Sequence, residues 1–501
     1  MNKRVLSCSY LGAQSFLIEV EIDISTGLPI FSIIGLGDTA ISESKDRIKT
    51  ALKNSNFPLI PKKIIVNLSP AGLKKEGAHF DLPISIGIMV AMGFIKDKFN
   101  ILDNYLFIGE LSLSGKIKSV KGAINTVILA KELGYKGVVL PADNYYEANL
   151  IKNIDIISVS SLKDASDFIT NNIKKKLKLK LKPICIDNQI DIDFSDVKGQ
   201  TMAKRGLEIA AAGKHNLIMI GSPGSGKTML CKRFQTILPP LTDNEIIKAT
   251  KIHSIAGKLS KTNPIITSPP FRSPHHTSSP VSIIGGGKKI TPGEVSLAST
   301  GVLFLDEIAE FPRTVLESLR QPIEDKKVSI TRALYKVEFD SDFILIAASN
   351  PCPCGYYFEG DRCNCTQTEV NKYMKKFSGP IMDRIDLHIE IRQLSETELT
   401  TLNKCKSSKE IRSNVIKARN IQYSRLGIGR CNSDMNQSEI SKYCVLSKED
   451  RLYFKKVIKI LNLSARSYDK ILTVARTIAD LDNSHEIHKK HLMEALSFRK
   501  K

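Results

Sequence analysis

Residues His215–Phe234 read HNLIMIGSPGSGKTMLCKRF, and no other stretch of the chain says as much about its fold. Four apolar residues, Leu217–Ile220, make a buried strand. The turn Gly221-Ser222-Pro223-Gly224-Ser225-Gly226-Lys227-Thr228 follows, and the chain then reads as a helix until Pro239-Pro240. Gly224 and Gly226 let backbone N–H groups close around phosphate oxygens at a helix N-terminus, whose partial positive charge already favours anions. Lys227 is placed to reach the β- and γ-phosphates, and the Thr228 hydroxyl to hold Mg²⁺. Strand, loop and helix in this order imply ATP as the ligand and a parallel α/β sheet as its support.

Further along, GVLFLDEIAEF carries an apolar strand, Val302–Leu305, that ends in Asp306-Glu307. Asp306 is the expected second Mg²⁺ partner, and Glu307 the group that polarises an attacking water. FILIAASNP is another buried strand with Asn350 at its tip, where a polar side chain can orient that water beside the γ-phosphate; a turn residue before Pro351 is the alternative. In SGPIMDRIDLHIEI, Arg384 stands just before a strand and is a candidate arginine finger for a neighbouring subunit's site. Arg466, in LSARSYDK, heads a helix with an apolar stripe of Ile471, Val474, Ala475 and Ile478, and is a candidate sensor. The alternative for both arginines is a surface salt bridge.

The rest of the chain sets the frame. Its 501 residues suggest about three domains, and 42% apolar with 25% charged residues excludes wholesale disorder. The net charge of +21 favours a polyanionic partner, nucleic acid ahead of a membrane surface, although the preference for Lys over Arg also fits compositional drift. VLSCSYLGAQ is too polar for a secretory signal, and the longest apolar stretch, Leu82–Ile95, is too short to span a bilayer and reads as a buried helix. A cytoplasmic protein with reduced cysteines is therefore expected.

Residues 1–172 read as a mixed α/β domain. Phe16–Ile24 alternates as a strand, KIIVNLSP is another strand, LFIGELSLSGKI holds a hairpin turning at Gly115, and AINTVILAKELG is a helix that ends at Gly134. Residues 173–190 contain the run IKKKLKLKLKP and read as a Lys-rich linker. Residues 191–392 alternate strand and helix, and residues 393–501 read as helical.

Cys352-Pro-Cys354 and Cys363-Asn-Cys365 bracket a loop containing Gly355, Gly360 and Asp361. Four thiolates satisfy a closed tetrahedral Zn²⁺ site with no position left open for catalysis, so the expected role is structural. Reduced loop cysteines without metal are the alternative. His275-His276 lack further close ligands and are not read as a metal site.

Together these residues resemble the AAA+ ATPases, in the magnesium-chelatase-like branch related to the MCM helicases. PGEVSLASTGVLFLDEIAEF, the hairpin-like KKVSITRALYKVEF and the separate C-terminal lid carry that likeness. FRSPHHTSSPVSIIGGG, NPCPCG and ARTIADL narrow it to the YifB/ComM family. The resemblance implies an AAA+ parallel sheet with a helical lid, assembled as a homo-hexamer that uses ATP and Mg²⁺. It also implies a DNA motor, a branch-migration helicase acting in recombination of DNA taken up in natural transformation. The alternative is a magnesium-chelatase-type motor subunit that drives metal insertion by a partner. In MCM-like motors two loops project into a central pore, which places Lys288, Lys289, Arg332 and Lys336 as candidate phosphate contacts with little sequence dependence; a solvated basic loop is the alternative for Lys288 and Lys289.

The N-terminal domain resembles the proteolytic domain of Lon through GELSLSGKIKSVKG and AINTVILAKELGYKGVVLPADN. A Ser–Lys pair is what that chemistry needs. The lysine position falls on Ile124, Asp81 and Pro83 stand near the place of the serine, and Ser85 has no aligned lysine. A proteolytically inactive domain is expected.

Overall fold

The computed structural model describes residues 3–174, 192–287, 290–332, 335–376, 381–393, 406–461 and 463–499. Most of the Lys-rich run, together with Lys288 and Lys289, lies outside the described residues. The chain forms two compact units. One comprises residues 1–184, 246–266 and 329–339, and the other residues 185–245, 267–328 and 340–501.

In the first unit, Gln14–Ser25 is a strand because Ile18, Val20 and Ile22 alternate inward against Glu19, Glu21 and Asp23. It pairs antiparallel with Lys3–Leu11 and with Lys63–Ser69. The seven-stranded sheet runs in the order Phe31–Ile34, Lys63–Ser69, Gln14–Ser25, Lys3–Leu11, Tyr105–Phe107, Gly137–Pro141, Asp155–Val159. The apolar run from Leu82 supplies the helix Asp81–Ala91, of which every residue from Asp81 to Met89 is buried. A helix buried all round carries no amphipathic stripe, which is why its sequence shows a continuous apolar run instead. The Gly115 turn joins the two short strands Glu110–Leu111 and Ile117–Lys118, and the helix Ala123–Glu132 covers the sheet beyond them.

The second unit is built on a five-stranded parallel sheet in the order Phe271–Arg272, Val302–Leu305, Ile344–Ser349, Leu217–Gly221, Leu387–Ile391. Leu217–Gly221 is flanked on both sides and wholly buried, as an uninterrupted apolar strand requires. Ser464 caps the helix Ala465–Leu481 by accepting from the Ser467 N–H (3.2 Å). The predicted stripe of that helix is buried, and it belongs to the same apolar core as Leu217, Met219 and Phe304. The C-terminal helices and the nucleotide-loop sheet therefore share one core.

The ribbon formed by Lys327–Arg332 and Tyr335–Asp340 contributes residues 329–339 to the first unit. There Val337 and Phe339 are buried, and a side chain added at Gly12 would collide with Val337.

Candidate functional site

The loop after Leu217–Gly221 starts a helix at Lys227. Gly224 and Gly226 sit at φ 78° and 91°, a backbone that L side chains rarely adopt, and a Cβ at either would meet nothing within 4 Å. The loop is thus open on the side where phosphates would lie. Among the described residues, the buried hydroxyls of Ser222 and Ser225 have no hydrogen-bond partner, as suits a polar cradle for a ligand. Lys227 Nζ donates to the carbonyls of Gly221 (2.5 Å) and Ser222 (2.9 Å) and to Asn350 Oδ1 (3.3 Å). Burial pushes its ammonium below the ordinary lysine value, and the Asp306 carboxylate opposes that shift.

Two further parallel strands deliver the remaining groups to the same end of the sheet. Val302–Leu305 ends at Asp306, which accepts from the Thr228 hydroxyl at 2.9 Å. A hydroxyl and a carboxylate in contact are the pair that would hold Mg²⁺ between them. Glu307 follows in a left-handed backbone, φ 52° and ψ 50°, with His276 Nδ1 3.8 Å from its carboxylate. Ile344–Ser349 ends at Asn350, which meets Lys227. The sequence-predicted groups Lys227, Thr228, Asp306 and Asn350 are therefore in contact, and Glu307 adjoins them. Hydrogen bonds from Gln200 to the carbonyls of Ser225 (3.4 Å) and Arg392 (2.8 Å) brace the loop. No sequence pattern singles Gln200 out.

Arg384 and Arg466 occupy the other end of the sheet. Asn216, just before Leu217, donates from its side chain to the Arg384 carbonyl (3.2 Å) and from its backbone to Asp386 (2.9 Å). Arg384 Nη2 lies 2.6 Å from Glu324, and Arg466 bonds the second oxygen of the same carboxylate. The two arginines hold the Glu324 carboxylate well below its usual range, the Arg384 hydrogen bond being the largest cause. Glu324 was not legible as a partner: nothing in its local pattern, QPIEDKK, points to either arginine.

The four cysteines converge. Cys352 Sγ is 3.2 Å from Cys354 Sγ and 3.8 Å from Cys363 Sγ, Cys354 and Cys363 are 3.6 Å apart, and all four sulfurs lie within 4.8 Å of one another. A hydrogen bond from the backbone N–H of Tyr356 is the main reason the Cys354 thiol falls to about 6. Against the backbone hydrogen bonds that lower them, the neighbouring thiols of Cys363 and Cys365 are pushed the other way, up, by burial and by their hydrogen bonds with Cys354 and Cys352. Among the described residues this is the group of three or more His, Cys, Asp or Glu side chains close enough to share one ion.

The DNA candidates are less gathered. Lys336 is exposed and paired with Glu338 at 2.9 Å, while Arg332 lies on the facing strand of the ribbon. Arg272, on the strand Phe271–Arg272, is engaged by Glu294 through two bonds of 2.5 and 2.8 Å. No helix among the described residues is long and apolar enough to cross a membrane.

In the first unit, Ile124 is fully buried at the place where a Lon-type lysine would stand. Asp81 is buried against Arg47 at 2.6 Å, and the Ser85 hydroxyl is buried without a hydrogen-bond partner among the described residues. A serine with no base beside it is not an activated nucleophile.

Three family models match the chain: "Magnesium chelatase, subunit ChlI" over residues 193–399, "Subunit ChlI of Mg-chelatase" over 20–144, and "Magnesium chelatase, subunit ChlI C-terminal" over 405–499. The chain is 39% identical over 500 residues to Competence protein ComM of Haemophilus influenzae, covering 99% of this chain and 97% of that protein. It is 39% identical over 490 residues to the uncharacterized protein YifB of Escherichia coli, covering 98% and 95%. Lon protease 2 of Bacillus subtilis is 26% identical over 175 residues, which cover 31% of this chain and 30% of that protein.

Proposed function

Because the chain belongs to the magnesium-chelatase-like YifB/ComM family of AAA+ ATPases, we propose that it is an ATP-driven DNA motor, a translocase or branch-migration helicase acting in DNA recombination. It works as a ring, most simply a homo-hexamer, with ATP and Mg²⁺ as cofactors and Zn²⁺ at the cysteine cluster. The observation that carries this reading is the split of the site. Lys227, Thr228, Asp306, Glu307 and Asn350 stand at one end of the parallel sheet, and Arg384 with Arg466 at the other. A subunit that holds the phosphates at one end and offers arginines at the other completes its chemistry only against a neighbour.

Lys227 neutralises the β- and γ-phosphates, Thr228 and Asp306 hold Mg²⁺, Glu307 takes the proton of the attacking water, and Asn350 orients that water. Arg384 meets the charge that develops on the neighbour's γ-phosphate. The DNA reading rests on the +21 charge and on the likeness to a competence protein.

The deciding assay is ATP- and Mg²⁺-dependent unwinding of a forked or four-way DNA, with Lys227→Ala as the control. DNA affinity should fall by roughly 10³ to 10⁵ between 50 and 200 mM salt if about six to ten phosphates are contacted. A wild-type protein that binds no DNA at 50 mM salt refutes the reading. The chelatase-type alternative, favoured by the three family matches, then moves ahead.

A further inference from the structure

The cysteine cluster is not a remote ornament of the ATPase unit. Its first ligand, Cys352, comes two residues after Asn350, and Cys352 is fully buried. The chain then turns at Gly355, whose N–H donates to the Cys352 carbonyl at 3.0 Å and whose φ is 89°. A Cβ built at Gly355 would stand 2.7 Å from Pro223 Cδ, inside the nucleotide loop itself, and 3.9 Å from the Asn350 amide carbon. The second pair, Cys363 and Cys365, leads directly into the helix Gln367–Lys375, capped by Thr366 and anchored by the buried Val370 and Tyr373. One arm of the loop therefore leaves the Asn350 strand and lies on the nucleotide loop, and the other arm is fixed to a packed helix.

The sulfur positions fit one ion. Four ligands at about 2.3 Å in a tetrahedron stand about 3.8 Å from one another, and the sulfurs of Cys352, Cys354 and Cys363 lie 3.2 to 3.8 Å apart, with all four within 4.8 Å. A closed tetrahedral set of four thiolates selects Zn²⁺ among common divalent cations.

We propose that Zn²⁺ bound by Cys352, Cys354, Cys363 and Cys365 is a positioning clamp for the ATPase centre: it ties the two arms together, presses Gly355 onto Pro223 and so holds Asn350 beside Lys227. The metal takes no part in bond breaking. Its loss releases Asn350 from the water it orients, and turnover falls while phosphate binding by the backbone loop persists. This rests on the ATPase reading above but not on the DNA one.

The test uses the full chain, purified under reducing conditions, with hydrolysis measured in the absence of DNA. Metal analysis should find about one Zn²⁺ per chain. Stripping it with a zinc-selective chelator that spares Mg²⁺, or removing it by Cys354→Ser with Cys365→Ser, should lower kcat by roughly 10- to 100-fold, the scale for losing a support of a catalytic group. The dissociation constant of a fluorescent ATP analogue should change by less than about threefold, and one equivalent of Zn²⁺ should restore the stripped wild type. In Asn350→Ala, stripping zinc should cost almost nothing further, because both perturbations remove the same interaction.

Absence of zinc, or iron in its place, overturns the assignment. An unchanged kcat after stripping, or an equal further loss in Asn350→Ala, overturns the clamp. Loss of analogue binding together with the thermal transition would show that the metal holds the fold alone, and overturns it too. A protein that hydrolyses ATP but ignores DNA fails the motor reading and leaves this test standing.

Discussion

Mixing two inactive variants, Arg384→Ala and Lys227→Ala, tests whether the site is shared between subunits. The strand Leu217–Gly221 has five residues, so roughly 16 Å of backbone at about 3.3 Å per residue separates the Asn216–Arg384 contact from the nucleotide loop. That is beyond the reach of one arginine side chain, and Arg384 cannot touch a γ-phosphate held by its own Lys227. Arg384→Ala alone should lose about 10³ to 10⁵ in kcat, the scale for an arginine supplied in trans, which is about 4 to 7 kcal/mol of transition-state stabilisation. Lys227→Ala alone should be inactive for want of bound nucleotide. In a mixed ring of equal numbers, a site works when a subunit with an intact loop faces a neighbour with an intact arginine. That occurs at about one interface in four, whatever the ring size, because the contacts are head-to-tail. ATPase measured on the mixture should therefore recover to about a quarter of wild type. If no ratio of the two variants recovers activity while cross-linking shows that mixed rings form, the trans reasoning is wrong.

Glu307→Gln keeps the shape of the side chain but cannot accept the water's proton, so kcat should drop by roughly 10² or more with analogue binding retained; wild-type turnover would remove Glu307 from the chemistry. His79 is buried, its ring bonded to the Cys8 carbonyl at 2.9 Å, and burial lowers its pKa from 6.5 to about 4. Because the folded state resists this proton and the unfolded state takes it, the contribution is fully present above pH 6.5. It is lost as pH falls towards 4, up to about 3 kcal/mol. Urea unfolding of the full chain should show that loss, and His79→Gln, which keeps an N–H for the carbonyl, should lower the pH slope by up to about 1.4 kcal/mol per unit; an unchanged slope would mean that His79 is not the group responsible.

The parts of this site that the sequence reveals are those whose chemistry is contiguous. Lys227 and Thr228 are adjacent in a loop that a strand and a helix must flank, and Asp306 and Asn350 each close an apolar run, so the parallel sheet brings them together without further information. Glu324 is different in kind. It meets Arg466 across 142 positions, and only the packing of helices at the far end of the sheet makes that meeting. Gly355 against Pro223 is likewise a product of tertiary approach. The cysteine spacing foretold a four-sulfur cluster but not what it leans on. In the first unit, the absence of a lysine at Ile124 could be read in advance, whereas the burial of Asp81 against Arg47 could not, since both residues are ordinary surface types. The ribbon carrying Arg332 and Lys336 was expected to present basic residues, yet its other face, Val337 and Phe339, is apolar and buried. Strand alternation announces two faces but does not say which partner each will find.

Glu307 occupies a left-handed backbone at φ 52° and ψ 50°. For a residue with a Cβ that geometry costs roughly 1 to 2 kcal/mol, and glycine or asparagine would sit there more comfortably. If Glu307 is the base proposed above, the position is one where foldability and activity pull in opposite directions. Screened only for thermal resistance, a library of variants would be drawn towards the residues that abolish hydrolysis, and the most robust molecules would be the ones that had ceased to burn ATP. On the proposed role of Glu307, the demand for turnover would set the glutamate against the preference of the backbone that carries it.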